Sequence, residues 1–437
     1  MSAANPQGGG APQKEVSVNE KGKPVYKLGK SLYWRLIWTL SGNFLFLLAL
    51  YNAVISIFLP NQVANVVQGD AAQNTIALAS IMTVSSFITV FVQPLTGAFS
   101  DRTRSKMGMR TPYILAGSFI GGFAICMLAP QSSMLGIGIC WVIASVTLNI
   151  MNGPLATILA DRVPEENRGV ASGYIGAAQT GGGTLGIIAA GWFANHSLSG
   201  GYLFFGIGIF VVCLIFCLLN REPNTKQMDV EPFNWKEFFK GFWVSPKKNP
   251  DFGWAFIARF VMYLGYQGVV AYQLYILRYY IGLDDASSNT IVGVMSTIQL
   301  FALIVSSVVC GYLSDKFQAR KPFVFISSII MAVSYVFPLF MRTETSMLIM
   351  AGVLGIGYGC YMSIDMALMT QVLPDNGENA GKDMGVLTIA TNLPQMLVQP
   401  LVAVLISIFA SYGSVFITAI VLVLASSFLI LPIKKVK

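Results

Sequence analysis

Long apolar segments recur along the whole chain and are separated by short polar loops. Twelve of them are long enough to cross a bilayer as helices, and they fall at 34–59, 72–99, 112–129, 133–158, 169–194, 202–220, 251–281, 288–314, 322–341, 345–373, 383–410 and 413–433. The runs are continuous, whereas a barrel strand alternates and needs only about 10 residues. The pattern therefore predicts an all-α integral membrane protein with twelve transmembrane helices.

The positive charges are distributed unevenly between the loops. With the N-terminus placed in the cytoplasm, every Lys and Arg except Arg259, Arg278 and Arg342 falls on the cytoplasmic side. This bias orients membrane proteins, so both termini are predicted to be cytoplasmic. It also explains the net charge of +8, which therefore does not indicate a nucleic-acid partner. The chain is expected in the plasma (cytoplasmic) membrane, surrounded by the lipid bilayer.

The composition agrees with a membrane protein. The chain is 54% hydrophobic and 11% charged, with a mean hydropathy of +0.64, whereas soluble domains carry about 25% charged residues. All six cysteines lie inside predicted spans without a CxxC pair, so we interpret them as packing residues rather than disulfides or metal ligands. Residues 1–30 are predicted to be disordered, with no cleavable signal, and residues 434–437 to form a cytoplasmic tail.

A six-residue motif occurs twice in the chain. It reads Gly97-Ala98-Phe99-Ser100-Asp101-Arg102 in one copy and Gly311-Tyr312-Leu313-Ser314-Asp315-Lys316 in the other, each before a short basic loop. Gly173 and Gly385 belong to a second matching pair at nearly the same offset. Two motif pairs at one offset indicate an internal repeat, and paired membrane halves are typical of secondary transporters. The two halves are residues 31–220 and 251–433.

The polar segment 221–250 joins the two halves. Its aromatic residues lie among lysines, a mixture typical of an amphipathic helix at the cytoplasmic interface. A plain linker is the alternative. The loops on the opposite side are short, so no extracellular domain is expected there.

The repeated Gly-x-x-x-Asp-Arg turn resembles the signature of the major facilitator superfamily. The stretches 101–112, 357–365 and 382–387 resemble the glycoside–pentoside–hexuronide and sucrose-type sugar transporters. The resemblance covers residues 30–433 and implies two pseudo-symmetric six-helix bundles around a central cavity. Met109 and Gln371 depart from the sugar-type pattern. Spans two and four also lack the carboxylates expected of sodium-coupled relatives, which argues against sodium coupling.

The duplicated motif supplies candidates for a cytoplasmic gate. Glycines lack a Cβ, so Gly97 and Gly311 would let another helix approach closely. The resemblance implies that Asp101 faces the N-terminal end of helix eleven, where a carboxylate is stabilised by the helix dipole. Contacts between the basic loop and Asp161 would exist only while the cytoplasmic side is closed. Ordinary positive-inside charge is the alternative. The candidate gating residues are Gly97, Asp101, Arg102, Arg110, Asp161, Gly311, Asp315 and Lys316.

Asp365 is the only acidic residue well inside a predicted span. A carboxylate at mid-membrane costs about 2.5–3.5 kcal/mol on insertion scales, so it requires water, a cation or a proton. Arg259 lies at a similar depth in span seven, and the resemblance implies that helices seven and ten both line the cavity. We therefore expect Asp365 and Arg259 to face one another, directly or through the solute. Titration of Asp365 would couple transport to protons, and a structural ion pair is the alternative.

Polar side chains on the helices that the resemblance places around the cavity are the candidate solute contacts. Asn and Gln amides both donate and accept, which suits hydroxyl-rich solutes, and aromatic faces suit the C–H side of a sugar ring. Hydrogen bonding between helices is the alternative role. The candidates are Asn43, Tyr51, Asn52, Asn149, Asn152, Gln179, Tyr263, Gln267, Tyr358, Tyr361, Asn392 and Gln395.

A secondary transporter is the leading functional hypothesis. No Walker motif is present, and one histidine without clustered intramembrane acids predicts no catalytic site, cofactor or metal. The chain would act as a monomer and carry a small polar solute, a sugar or glycoside, by alternating access. Proton-coupled symport is expected, with an uncoupled facilitator or an amphipathic, drug-like cargo as alternatives. A membrane enzyme or a receptor is disfavoured.

Overall fold

The computed structural model of this protein describes residues 17–18, 24–25, 29–163, 165–222, 224–226, 249–317, 320–372 and 380–433. Ser17–Val18 pairs with Pro24–Val25 in a short antiparallel ladder. The rest of the segment predicted to be disordered, most of 221–250 with its predicted amphipathic helix, and the tail 434–437 lie outside the described residues.

Within these ranges the chain forms twelve helices, and each covers one predicted span. They are α1 Lys30–Val67, α2 Ala71–Arg102, α3 Thr111–Leu128, α4 Met134–Arg162, α5 Glu165–His196, α6 Leu198–Leu219, α7 Pro250–Val270 continued by Gln273–Ile281, α8 Asp285–Phe317, α9 Lys321–Phe340, α10 Glu344–Val372, α11 Ala380–Phe409 and α12 Gly413–Leu429. The fold is therefore all-α, as predicted.

Capping residues mark where several helices begin. The Asp70 carboxylate accepts a hydrogen bond from the backbone N–H of Gln73, whose side chain reaches back to Asp70. Ser133 and Ser197 accept from the backbone N–H groups at the starts of α4 and α6. These contacts satisfy donors that no helix can pair internally, so the chain reverses direction in short loops.

Most of these helices have the length and composition of membrane spans. Nine helices in the described part of the chain qualify, and α7 is a tenth if its two segments, bent by 44°, form one span. The apolar α12 has 17 residues, and α5 is 32 residues long but carries many glycines and polar residues. Together they form the multi-pass membrane fold that the sequence predicts.

The first helix of each half contains a π-helical segment. Val54–Phe58 interrupts α1, and Ile276–Ile281 ends α7. A π-helical turn inserts one extra residue per turn and is frequent at functional sites. Its presence at corresponding places in both halves is a further sign of the internal repeat.

The packing of the helices obeys the same repeat. In the N-terminal bundle α1 packs on α5, α2 on α4 and α3 on α6; the equivalent pairs in the C-terminal bundle are α7 with α11, α8 with α10 and α9 with α12. The bundles meet where α2 packs on α11 and where α5 packs on α8. The internal repeat relates α2 to α8 and α5 to α11, so these two contacts are equivalent. Two pseudo-symmetric six-helix bundles therefore face each other across two seams.

Glycines bring α5 unusually close to α1. A Cβ at Gly182 would lie 2.2 Å from the carbonyl oxygen of Leu45, and a Cβ at Gly186 would lie 2.2 Å from that of Ala49. Only glycine allows two helix backbones to approach to this distance. Gly173, on the same helix, has no neighbouring atom within 4 Å of such a Cβ.

Substituting Gly186→Ala is expected to destabilise the N-terminal bundle by about 1–3 kcal/mol, because the added methyl group overlaps the backbone of α1. The thermal unfolding midpoint in detergent measures the loss. Gly173→Ala is the matched control and is expected to leave the midpoint unchanged or slightly raised. Equal midpoints for the two variants would show that this close approach is not required.

Candidate functional site

A cavity of about 630 Å³ lies between the two bundles. Its walls come from α1, α2 and α4 on one side and from α7, α10 and α11 on the other. Such a volume is in the usual range for small-molecule sites. The predicted solute contacts that line it are Tyr51, Asn52, Asn149, Asn152, Gln267, Tyr358, Asn392 and Gln395.

Four of the predicted solute contacts lie elsewhere. Asn43 is buried within the N-terminal bundle, where its side chain donates to the Thr39 carbonyl and accepts from Cys213. Gln179 on α5 is not among the described residues that line the cavity. Tyr263 and Tyr361 contact the ion pair described below instead. Helix assignment alone could not reveal which face of each helix is turned to the cavity.

The α2 wall of the cavity was not predicted. Ser85, Ser86, Thr89 and Gln93 line the cavity from this helix. Their spacing of three to four residues places them on one helical face, so a polar stripe in span two was the available signal. Trp141, Tyr266 and Gln399 also line the cavity and were missed.

The amides of the cavity wall fall into two groups. Asn149 donates to the Tyr51 hydroxyl at 3.0 Å and to the Ser145 carbonyl, and Asn52 donates to the Leu48 carbonyl. Gln399 accepts from the Tyr272 hydroxyl, and the five other cavity amides have no hydrogen-bond partner in the described part of the chain. These five amides, here called the open amides, belong to Gln93, Asn152, Gln267, Asn392 and Gln395. They leave donors and acceptors available to a solute.

Aromatic side chains form the remainder of the polar wall. The rings of Tyr266 and Tyr358 stack with centroids 4.1 Å apart and planes 4° from parallel. Gln299 donates to the Tyr266 hydroxyl, and Trp141 donates to Ser85. Because these hydrogen bonds hold the rings in place, the cavity presents a fixed aromatic surface next to its amides.

Arg259 and Asp365 form a buried ion pair beside the cavity. A guanidinium nitrogen of Arg259 lies 3.2 Å from a carboxylate oxygen of Asp365, and the two residues are 8% and 4% exposed. The contact that we expected is therefore present and direct. Tyr361 donates to the other carboxylate oxygen at 3.0 Å, and Arg259 donates to Thr391 at 3.1 Å. The role of the pair in coupling stays a prediction.

A second charged cluster lies at the end of the bundles that carries the chain termini, here called the proximal end. Arg110 binds Asp101 at 2.5 Å, Asp161 at 2.6 Å and the Ser100 hydroxyl. All of these residues belong to the N-terminal bundle. The Arg110–Asp161 contact therefore does not depend on closure between the bundles, which differs from our expectation for these gating residues. It ties the α2–α3 loop to the end of α4.

The remaining gating candidates have different surroundings from those expected. Among the described residues, no atom lies within 4 Å of a Cβ placed at Gly97, and a Cβ at Gly311 would make only ordinary contacts, so these contacts show no close helix approach at either glycine. Arg102 donates to the Ala98 carbonyl of its own helix, and Lys316 is exposed. The side chains of Asp315 and of the start of α11 lie outside the described residues.

Glu222 joins the proximal cluster and was not predicted. Its carboxylate binds Arg162 at 2.7 Å and accepts from the backbone N–H groups of Arg110 and Thr111 at the start of α3. Gly108 has a φ of +94°, and a Cβ there would collide with Glu222. The loop therefore requires glycine at position 108. The Gly-x-Arg pattern at 108–110 was the signal for this glycine in the sequence.

The opposite end of the bundles, here called the distal end, is held together by hydrogen bonds between the bundles. The buried Arg278 donates to Asn61, and Asn61 donates to Asn289, which in turn donates to Asn195 at 2.9 Å. The backbone carbonyl oxygen of Asn289 also packs against Gly191, because glycine has no Cβ that would block this approach. This set of four side chains is the distal network.

Three further contacts support the distal network. Tyr275 donates to the Pro60 carbonyl, Asn74 donates to Tyr279, and Thr75 pairs with Tyr412. In the loop before α8, hydrogen bonds from Ser287 hold the pKa of Asp284 below its usual value. The hydrogen bonds that these residues form between the bundles all lie at this end. The structure is therefore closed distally, between the cavity and the loops remote from the termini.

Comparison with models of protein families identifies one family. The Major Facilitator Superfamily model matches residues 39–287 and 255–437. Sucrose transport protein SUC4 of Arabidopsis thaliana is 29% identical over 147 residues, a match that covers 29% of this chain and 28% of that protein. The chain thus aligns with only a minor part of that relative.

Two solved structures have the same fold. The nucleoside transporter NupG superposes with a TM-score of 0.68 at 16% identity, over 91% of this chain and 98% of that one. A D-xylose-proton symporter superposes with a TM-score of 0.66 at 14% identity, over 92% of this chain and 98% of that one. At these identities the likeness concerns the fold alone.

Substituting Arg278→Ala is expected to open the distal end, because it removes the charged hydrogen bond to Asn61 across the bundles, which is worth about 1.5–3 kcal/mol. Spin labels at Ser199 and Thr345, both exposed near the distal end, should then report a larger population of long distances. Arg342→Ala is the control, since Arg342 contacts Tyr280 within its own bundle. Unchanged distances in the Arg278 variant would show that this network does not hold the bundles closed.

Proposed function

Since this chain belongs to the Major Facilitator Superfamily and is a transporter rather than an enzyme, we propose that it moves a small polar solute, a sugar or glycoside, by alternating access. The proposal places the proximal end in the cytoplasm, because nearly all Lys and Arg lie on that side. One chain supplies both bundles and the whole cavity, which supports a monomer in the plasma membrane.

The observation that carries the cargo assignment is the set of open amides. They converge on one cavity from α2, α4, α7 and α11. A polar group in a membrane protein is costly when it lacks a hydrogen-bond partner, so such groups normally pair between helices. Side chains kept without a protein partner suit a solute that supplies several hydroxyl groups. The same observation disfavours a lipophilic cargo, which would leave these amides unsatisfied.

The aromatic surface supports the same assignment. Sugar rings have apolar C–H faces, which pack against aromatic rings. Tyr266 and Tyr358 present stacked rings at the C-terminal side of the cavity, opposite the amides of α2 and α4. The partial sequence match points in this direction too, because that relative is a sucrose transport protein.

Alternating access follows from the distal network. While it is formed, the network holds the two bundles together on the distal side of the cavity, so a solute is expected to exchange with the proximal side. Breaking it, and closing the proximal seam, would expose the cavity distally. Both seams involve pairs that the internal repeat relates, so the two bundles can rock about the cavity as rigid bodies.

The Arg259–Asp365 pair supports proton coupling as the finer part of the proposal. Asp365 lies on α10 within the C-terminal bundle, about two helical turns after the cavity-lining Tyr358, and its carboxylate accepts from Tyr361. A buried carboxylate with one cationic partner stays ionised while that partner is in place, and it takes up a proton when the partner moves to water or to another counter-charge. Proton uptake would release Arg259 and change the packing of α7 against α10.

The cargo assignment predicts saturable uptake of a neutral sugar by proteoliposomes tested with mono- and disaccharides. Asn152→Ala is expected to weaken apparent sugar affinity by roughly 2- to 12-fold, the effect of one hydrogen bond of about 0.5–1.5 kcal/mol. Asn43→Ala is the control and should leave the affinity of the folded protein unchanged. Competition by lipophilic drugs but by no sugar would contradict the assignment.

The coupling assignment predicts that Asp365→Asn abolishes accumulation driven by a pH gradient but preserves counterflow exchange. An amide cannot take up the proton, yet it leaves the cavity intact. Glu344→Gln, on the exposed outer turn of the same helix, should retain both activities. Continued accumulation against a gradient by the Asp365 variant would exclude the coupling role.

A further inference from the structure

The described residues that line the cavity share one property: none of them is an Asp, Glu, Lys, Arg or His. The polar part of the wall consists of amides, hydroxyls, tyrosines and one tryptophan. Each of these groups is neutral at physiological pH. The cavity therefore offers many hydrogen bonds and no countercharge.

The nearest ionised groups are not available to a solute. Arg259 and Asp365 lie behind the cavity wall, where they bind one another and are almost completely buried. The Tyr263 ring lies 5.7 Å from the Arg259 guanidinium, and Tyr361 binds Asp365. Since the two charges are opposite and adjacent, their fields largely cancel at the cavity.

The other buried cations are also engaged. Arg278 binds Asn61 in the distal network and pairs with Asp285 at 3.1 Å. Arg110 binds Asp101 and Asp161 at the proximal end. Moving any of these side chains to a solute would break contacts that hold the loops and bundles. A charged solute would thus find no counter-ion among the described residues that line the cavity, and these buried cations are already paired.

The physical consequence is selectivity by charge. An ion that leaves water for a cavity at mid-membrane loses hydration, and only a countercharge or several oriented dipoles can compensate it. Amides and hydroxyls replace the hydration of a neutral hydroxyl group well, because they both donate and accept. They compensate a carboxylate or an ammonium group less well, because each amide or hydroxyl dipole is only partial and the wall brings no full opposite charge.

We propose that this cavity accepts uncharged polyhydroxy solutes and rejects their uronate, phosphate and amine counterparts. The inference rests on the proposed function as a sugar transporter and narrows its cargo. It distinguishes neutral glycosides from uronides. Hydrogen bonding by the amides would suit the hydroxyl groups of both classes, so the distinction comes from the missing countercharge. The open amide of Gln267, on α7, is the natural position at which to change this selectivity.

The test measures counterflow of a labelled neutral probe in proteoliposomes at pH 7, and how strongly each unlabelled probe competes with it. The probes are glucose, glucuronate and glucosamine; galactose, galacturonate and galactosamine; sucrose; and uridine with its 5′-monophosphate. Each charged member is expected to compete at least about tenfold more weakly than its neutral counterpart. A uronate, amine or phosphate that competes within tenfold of its neutral counterpart would overturn the selectivity while leaving sugar transport intact.

The same panel separates this inference from the proposed function. Binding of uridine, with no sugar and no monophosphate competing, would disprove the sugar cargo but uphold the selectivity for neutral solutes. If no neutral probe competes, both are contradicted.

A charge placed in the cavity provides a gain-of-function test. Gln267→Lys is expected to admit glucuronate or galacturonate at least about tenfold better than the unchanged protein does. Gln267→Met, which removes the hydrogen bonds without adding charge, is the matched control and should not admit them. Uronate competition that is equal in the two variants would show that the missing countercharge does not set the selectivity.

Discussion

The need to pair polar groups inside a bilayer governs this structure. A charge or an amide without a partner is costly in such surroundings, and the protein meets the cost differently at three depths. At the proximal end, Arg110 and Glu222 join loops within one bundle. At the distal end, Arg278 joins the two bundles through Asn61. At mid-membrane, the charged side chains pair with one another outside the cavity lining, and the open amides remain available to bind the solute.

This arrangement explains how the protein can be both stable and movable. Contacts within a bundle include the buried ion pair and the backbone approach of α5 to α1. Those would persist whichever side is open. The contacts between bundles include the packing of α2 on α11 and of α5 on α8 and the distal hydrogen bonds, and these hydrogen bonds can be exchanged for water when the distal end opens. The repeat supplies two equivalent seams, so motion about the cavity conserves the core of each bundle.

The sequence was sufficient for the fold because its signals are long and local. Continuous apolar runs predicted every span, and the duplicated Gly-x-x-x-Asp turn predicted the two halves. The partnership of Arg259 with Asp365 was also predictable, since a charge at mid-membrane requires a partner. The rest depends on helix rotation: Asn43 is turned into its bundle, while Ser85, Thr89 and Gln93 face the cavity. Contacts between distant loops, such as Glu222 with Arg162, had no pattern in the chain to reveal them.

The central claim is that a polar cavity between the bundles holds the solute and is open to one side at a time. Asn152 reports on it most directly, because its open amide lies in the cavity on α4. In a variant without native cysteines, Asn152→Cys should react with a membrane-impermeant maleimide added from the cytoplasmic side. A transported sugar should slow that reaction, and Arg278→Ala should allow labelling from the opposite side. Labelling from both sides at equal rates, without protection by sugar, would contradict the account.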